Sequence, residues 1–449
     1  MISKLHISFL VFFITSLGFG QNAGFFSDPL SFVEYNSTLV EADDFNGSDI
    51  GTVNSLVLNG SEIRTFKNGG ADVTGAFINY RIYQASTTPG SFIEESIPFD
   101  SNLTTPPNED QFWKTSSLDI DLISGLGAGN YKFEVFFRIS TDFCCGGQVF
   151  QSNSGANYTA DFTLPYRTAK DGNWSDTNTW IGGSVPPSGA EVGIIHDVTL
   201  DQNAEVSDIT ISSGNTLTSE SGEERTLTIQ DGGTFTNNGT FTANDGTVSF
   251  PGAGTITGTT TFNDVDIAGG VDFGTDSTIN GNLTLNAGSF VNTNSPIYGS
   301  SSTLIYNSSN LYGRRSEWSN AGNQGRPNNV IVQNNTAINM GFDNTTDDAV
   351  IDGNLTIDSG SSVFMDYNSD DMTAPLIIKG NFINNGTISL SDESGGDLKL
   401  EGDLTDNGTF NYRGRALFLE GSTDQSITTT ADPYTIDVLR INKSNGNND

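Results

Sequence analysis

Apolar side chains fall on every second position at Phe133, Val135, Phe137 and Ile139, in alternation with Glu134, Arg138 and Ser140. Ile78, Tyr80 and Ile82 repeat the rhythm, as do Tyr158, Ala160, Phe162 and Leu164. A period of two sends neighbouring side chains to opposite faces, so these segments predict half-buried strands. Helical periodicity is absent. Short strands joined by clusters of Gly, Pro, Asn and Asp predict an all-β chain whose residues 22–165 form a β-sandwich, immunoglobulin-like or a jelly roll.

After Pro165 the rhythm shortens. Apolar triplets such as Ile209-Thr210-Ile211, Leu227-Thr228-Ile229, Leu283-Thr284-Leu285 and Leu355-Thr356-Ile357 alternate with polar turns. Asn-Asn-Gly-Thr recurs at Asn237 and Asn384, and Gly followed by Asn or Asp and an apolar residue recurs at Gly281, Gly353, Gly380 and Gly402. Gly380 and Gly402 are 22 residues apart, as are Gly386 and Gly408. A repeat of that length holds three short strands and their turns, which predicts a right-handed parallel β-helix over residues 166–449. Stacked at about 4.8 Å per coil, roughly a dozen coils make a rod of about 60 Å. Leu, Ile, Val and Phe then point inward in ladders. Thr suits the outer pleat, and Asn and Gly suit corners that need left-handed backbone.

Charge and the first residues narrow the setting. Lys4, an apolar run at 7–17 and small residues at Gly18 and Gly20 describe a secretory signal over residues 1–20. Eleven residues at about 1.5 Å each fall short of a bilayer core of about 30 Å, so no transmembrane segment is expected after signal removal. The chain carries 19 Lys and Arg against 54 Asp and Glu, a net charge of −35. That balance excludes nucleic acid as a partner, because phosphates need a basic footprint. An acidic surface suits solubility and divalent cations.

Two resemblances add to this reading. Gly127, Gly129 and Asn130 before Tyr131 resemble the glycine–x–tyrosine lead-in to a late strand of immunoglobulin-like and fibronectin-like domains. The stretch from Trp174 to Asp201, the segments 246–250 and 258–262, 421–427 and 439–443 resemble large repetitive bacterial surface proteins exported by type IX secretion. That second resemblance covers about residues 170–449 and implies a pectin-lyase-like β-helix and, in relatives, a C-terminal sorting domain. No such domain is visible before Asp449, so the solenoid is expected to be truncated, its end capped by a missing segment or a partner.

Candidate chemistry is sparse. Cys144 and Cys145 are adjacent, which leaves a vicinal disulfide or two thiols as alternatives and excludes a disulfide framework. His196 is the one histidine after the signal and reads as a turn residue, and no nucleophile-elbow pattern accompanies it. Asp370-Asp371 and Asp392-Glu393 lie one coil apart, with Asp347-Asp348 about a coil earlier but in a different spacing to its glycine, so these acids are either solvated turn residues or a weak Ca²⁺ ladder along one turn edge. Arg314, Arg315 and Arg326, with Glu317 and Trp318 between them, form the one basic patch. They are expected in a loop bulging from the rod, where either Trp318 packs on the rod and the arginines answer nearby acids, or a glycan or a protein surface binds. Trp174 and Trp180 are expected to plug the first layer of the solenoid.

The resulting expectation is a secreted or cell-surface structural and adhesion protein without catalysis, a solenoid stalk presenting a sandwich domain to an extracellular glycan or surface protein. The alternatives are a polysaccharide lyase or glycoside hydrolase, which needs two carboxyls about 5–10 Å apart, and a calcium-dependent glycan-binding module. No cofactor other than Ca²⁺ is expected.

Overall fold

The computed structural model describes residues 23–26, 30–68, 70–104, 110–142, 147–318, 324–342, 348–431 and 433–443. The expected signal segment, Cys144, Cys145 and Asp347 lie outside the described residues. The chain is nearly all β, with 4% helix, and its longest described α-helix is the single turn Ala42–Phe45. It divides into two compact units, Met1–Ser124 with Gly129–Leu164, and Gly125–Ala128 with Pro165–Asp449. No helix among the described residues is long and apolar enough to cross a membrane.

The first unit is built on two long strands of opposite sheets. Val57–Lys67 pairs antiparallel with Ser31–Tyr35 and Gln111–Thr115, and also takes Ala23–Phe25 and Ile120–Asp121. In the second sheet Gly129–Thr141 lies antiparallel between Val73–Gln84 and Tyr158–Leu164, and Gln148–Gln151 also pairs with it. The predicted alternation is realised: Phe133, Val135, Phe137 and Ile139 are fully buried, as are Ile78 and Ala160. Tyr35 of the first sheet meets Phe133 of the second edge-on at 6.4 Å, and Phe45 fills the gap 5.1 Å from Phe133, so aromatic packing joins the layers. Glu134 departs from the simple in–out pattern. Although it alternates with the core residues, it is 4% exposed, held by Arg81 through two hydrogen bonds of 2.8 and 2.9 Å.

The second unit is a parallel β-solenoid of about 12 turns. One sheet runs through 17 strands, from Tyr166–Arg167 to Ile427–Thr429, and shorter parallel sheets line the remaining sides. The triplets stack as the sequence predicts: Val265, Leu283 and Leu304 lie over one another, as do Leu376, Leu398 and Leu417, all buried. The coil is less regular than a 22-residue repeat. Its length is 17 residues where Val248 registers with Val265 and 27 where Leu355 registers with Phe382. Trp174 and Trp180 meet edge-on at 4.9 Å inside the first layer, and the Trp180 indole N–H donates to the carbonyl of Trp174 at 2.8 Å. At the other end Val438–Ile441 pairs with Ala416–Leu419, and Val438, Leu439 and Ile441 are exposed.

The recurrent glycine–asparagine corners have a structural cause. Asn329 Oδ1 accepts the backbone N–H of Asn354 (3.0 Å), Asn354 Oδ1 that of Asn381 (2.7 Å), Asn381 Oδ1 that of Asp403 (2.9 Å) and Asp403 Oδ1 that of Ser426 (2.7 Å). Each side chain therefore satisfies a corner N–H that the strand ladder does not reach. The glycine before it makes room, since a Cβ at Gly402 would lie 2.4 Å from the carbonyl oxygen of Gly380.

Candidate functional site

The acids expected to form a ladder converge only in part. After the strand Ser362–Phe364 the chain makes a small antiparallel hairpin, Asp366–Tyr367 against Asp370–Asp371, with Asn368 in the left-handed region at its turn. The hairpin carries Asp366 and Asp371 to Asp392 of the following coil, and one oxygen from each of the three lies within 4.8 Å of the others. Asp370 turns away and accepts from Asn339 Nδ2 at 2.7 Å. Glu393 serves through its backbone, its N–H donating to Ser391 Oγ at 3.1 Å and its carbonyl accepting from Arg415 Nη1 at 3.2 Å. Asp348 is not part of the three-carboxylate group.

Two members of this cluster lay outside the spacing argument. Asp366 belongs to the same coil as Asp371, so a coil-to-coil rule does not find it. Arg413 lies 21 residues beyond Asp392, one coil further on, and its Nη2 pairs with the carboxylates of Asp366 and Asp392, the latter at 3.3 Å. Burial pushes the Asp366 carboxyl above its ordinary range. Arg413 opposes this, while Asp392 and Asp371 reinforce it. Three carboxylates facing one guanidinium leave negative charge uncompensated, which a shared proton or an oxygen-seeking cation can relieve.

The basic patch is divided between the interior and the surface. Beyond Leu311–Gly313 the chain enters a 3₁₀ turn, Ser316–Trp318, that points inward. Arg314, Glu317 and Trp318 are 3%, 0% and 1% exposed, in contrast to the expected outward bulge. The cause is a polar network that holds the turn inside the core. Glu317 Oε1 accepts from Tyr306 Oη and from the Arg315 N–H, both at 3.0 Å, and its carbonyl accepts from Tyr298 Oη at 2.8 Å. Trp318 donates its indole N–H to Val350 (3.2 Å), and Arg314 donates to the carbonyls of Met340 (3.0 Å) and Trp318 (3.2 Å). Burial raises the Glu317 carboxyl, against the bonds it accepts, and it also raises the phenols of Tyr298, Tyr306 and Tyr312, with the Glu317 charge adding to the rise.

Arg315 stays exposed, its guanidinium 5.0 Å from the ring centroid of Phe290 and 5.2 Å from that of Phe342. Arg326 sits apart and shares Asp352 with Lys379, at 2.6 and 2.8 Å. Burial opposes the charge on Asp352, but the two cations outweigh it and hold the carboxyl below its usual range. The five residues of the patch therefore do not form one surface.

No protein-family model, curated protein or solved structure matches this chain.

The remaining sequence candidate, His196, has a local structural role. Its Nδ1 lies 3.1 Å from both the hydroxyl and the carbonyl oxygen of Thr168. The neighbouring Asp197 accepts the N–H of Thr216 at 2.8 Å, which commits its carboxylate to the next coil. The Thr168 hydroxyl beside the imidazole is fully buried and also accepts the N–H of Ile195 at 3.0 Å, so both side chains hold the backbone of the first coil.

Proposed function

We propose that this protein is exported to the cell surface or beyond, where the solenoid acts as a stiff spacer and the sandwich as a recognition module, without catalysis. The observation that carries the reading is the 17-strand parallel ladder, filled with buried aliphatic and aromatic side chains. Such stacking propagates stability from coil to neighbouring coil and suits a rod better than a substrate cleft. The signal-like start, the net charge of −35 and the resemblance of residues 170–449 to type IX-secreted surface proteins support the setting. The acids that spacing offered to a lyase or hydrolase support it too, since Asp370 is engaged by Asn339 while Asp392 pairs with Arg413.

The test combines location with chemistry. Antibody labelling of intact cells and of culture medium should find the protein outside the cytoplasm. Incubation with a polysaccharide panel should release no new reducing ends and no unsaturated uronates. Product from any polysaccharide would reject the non-catalytic reading in favour of a pectin-lyase-like enzyme.

A second reading rests on Asp366, Asp371 and Asp392: a Ca²⁺-reinforced solenoid whose glycan binding depends on the ion. A glycan array run with and without chelator separates it from the first.

A further inference from the structure

The sandwich unit contains an open depression of about 470 Å³ lined by aromatic and polar side chains. Phe25, Phe26 and Phe150 line it together with Asp43, Gln151 and Asn153, and the buried Tyr158 also contributes. Phe150 is 54% exposed on the short strand Gln148–Gln151, the most exposed large apolar side chain among the described residues. It is held in place from beneath, since its ring lies 6.1 Å from Phe136, which in turn meets Phe92 edge-on at 4.8 Å. Phe26 is similarly fixed edge-on against Phe66 at 5.9 Å. These ring contacts fix Phe26 and Phe150 in position at the surface, where their free faces are open to a ligand.

The polar part of the depression is also fixed. Ser31 Oγ donates to Gln151 Oε1 at 2.5 Å. Asn153 Nδ2 donates to the carbonyl of Asn157 at 3.3 Å, and Asn157 Nδ2 to the buried Glu134 at 2.6 Å. Asn153, Ser154 and Asn157 all have left-handed backbone, with φ of 27°, 56° and 60°. Residues other than glycine rarely adopt that region, and three within five positions persist only where the surroundings enforce them. Burial raises the Tyr158 phenol, and the nearby Asp43 charge adds to the rise.

We infer that this depression is a binding site for a neutral saccharide. Ring faces of pyranoses carry polarised C–H groups that stack on the negative face of an aromatic ring. Their hydroxyls both donate and accept, which matches carboxylate, amide and hydroxyl groups set around the rings. The charged side chain in the lining is the acidic Asp43, so uronates and sulfated sugars meet repulsion. An extended peptide fits less well: the edge strand offers four residues before the left-handed turn at Asn153 breaks its line. The inference rests on the sandwich acting as the recognition module.

Full-length protein on an array of neutral hexose and N-acetylhexosamine oligosaccharides, uronate oligosaccharides and extended peptides tests it, followed by titration calorimetry with the best neutral oligosaccharide. Phe150→Ala should weaken binding by about tenfold or more, while Phe150→Trp retains it and Arg315→Ala leaves it unchanged. Because Phe150 is half exposed, the melting temperature of Phe150→Ala should match the parent, which separates loss of binding from loss of fold. No bound neutral oligosaccharide, affinity unaffected by Phe150→Ala, or preference for uronates or peptides would overturn the inference. The broader reading fails in a different way, by cleavage of a polysaccharide or by retention of the protein in the cytoplasm.

Discussion

Asn354 Oδ1 accepts the backbone N–H of Asn381 at 2.7 Å, and Asn381 Oδ1 accepts that of Asp403 at 2.9 Å, so each corner amide ties its coil to the next. Asn381→Ala removes one such acceptor at an exposed corner and is expected to cost about 0.5–1.5 kcal/mol. Gly402→Ala should cost more, about 1–3 kcal/mol, because the new Cβ meets the Gly380 carbonyl group at 2.4–2.5 Å, backbone that cannot turn aside. Urea denaturation of both variants checks the order. A Gly402→Ala protein as stable as its parent would show that the coils are not in this close contact.

Glu317 gives the molecule a pH dependence of unusual sign for a carboxyl. Its folded pKa is raised by burial above the ordinary value of 4.5. The stabilisation is therefore complete below about pH 4.5 and is lost as pH rises through the folded value. Glu317→Gln, which cannot ionise, should escape that loss. Melting temperatures of the two proteins should lie close together in acid and separate in favour of the variant as pH increases. A gap that narrows with rising pH contradicts the assignment.

Arg413 is the counter-charge of the three-carboxylate cluster. Arg413→Gln leaves Asp366, Asp371 and Asp392 facing one another, so the variant should melt lower than the parent at neutral pH. Millimolar Ca²⁺ should return part of that loss and shift the parent less, because oxygen ligands without a guanidinium beside them favour the ion. Identical responses of the two proteins to Ca²⁺ would dismiss the cluster as a cation site.

Trp318 and Arg315 lie three positions apart and should behave very differently. Trp318→Ala empties a core position that is 1% exposed, at an expected cost of about 3–5 kcal/mol. Arg315→Ala loses only contacts at the surface with Phe290 and Phe342, about 1 kcal/mol or less. Denaturation midpoints measure both. Similar costs would mean that the segment 314–318 does not turn inward.

The solenoid was legible because its signal is local. Leu283-Thr284-Leu285 and Leu355-Thr356-Ile357 state which side chains point inward, and stacking does the rest. The strand Gly129–Thr141 was legible for the same reason, except at Glu134, whose partner Arg81 is remote in sequence. Spacing brought Asp371 and Asp392 together correctly, but a fixed period cannot anticipate the hairpin that adds Asp366 or the coil that adds Arg413. Composition misled at residues 314–318. Arginine and glutamate suggest solvent, whereas inside the core Tyr306 donates to the Glu317 carboxylate and Arg314 donates to the carbonyl of Met340.

Storeys of 17 and 27 residues coexist in one ladder, and the inward turn at Glu317 and the hairpin that carries Asp366 and Asp371 each sit where a storey runs long, between Leu304 and Val330 and between Leu355 and Phe382. A corner that answers only to the corners above and below can accept inserted residues without disturbing floors further away. Novelty in this architecture therefore has a natural point of entry. New side chains arrive as lengthened turns, and the scaffold beneath them need not be renegotiated.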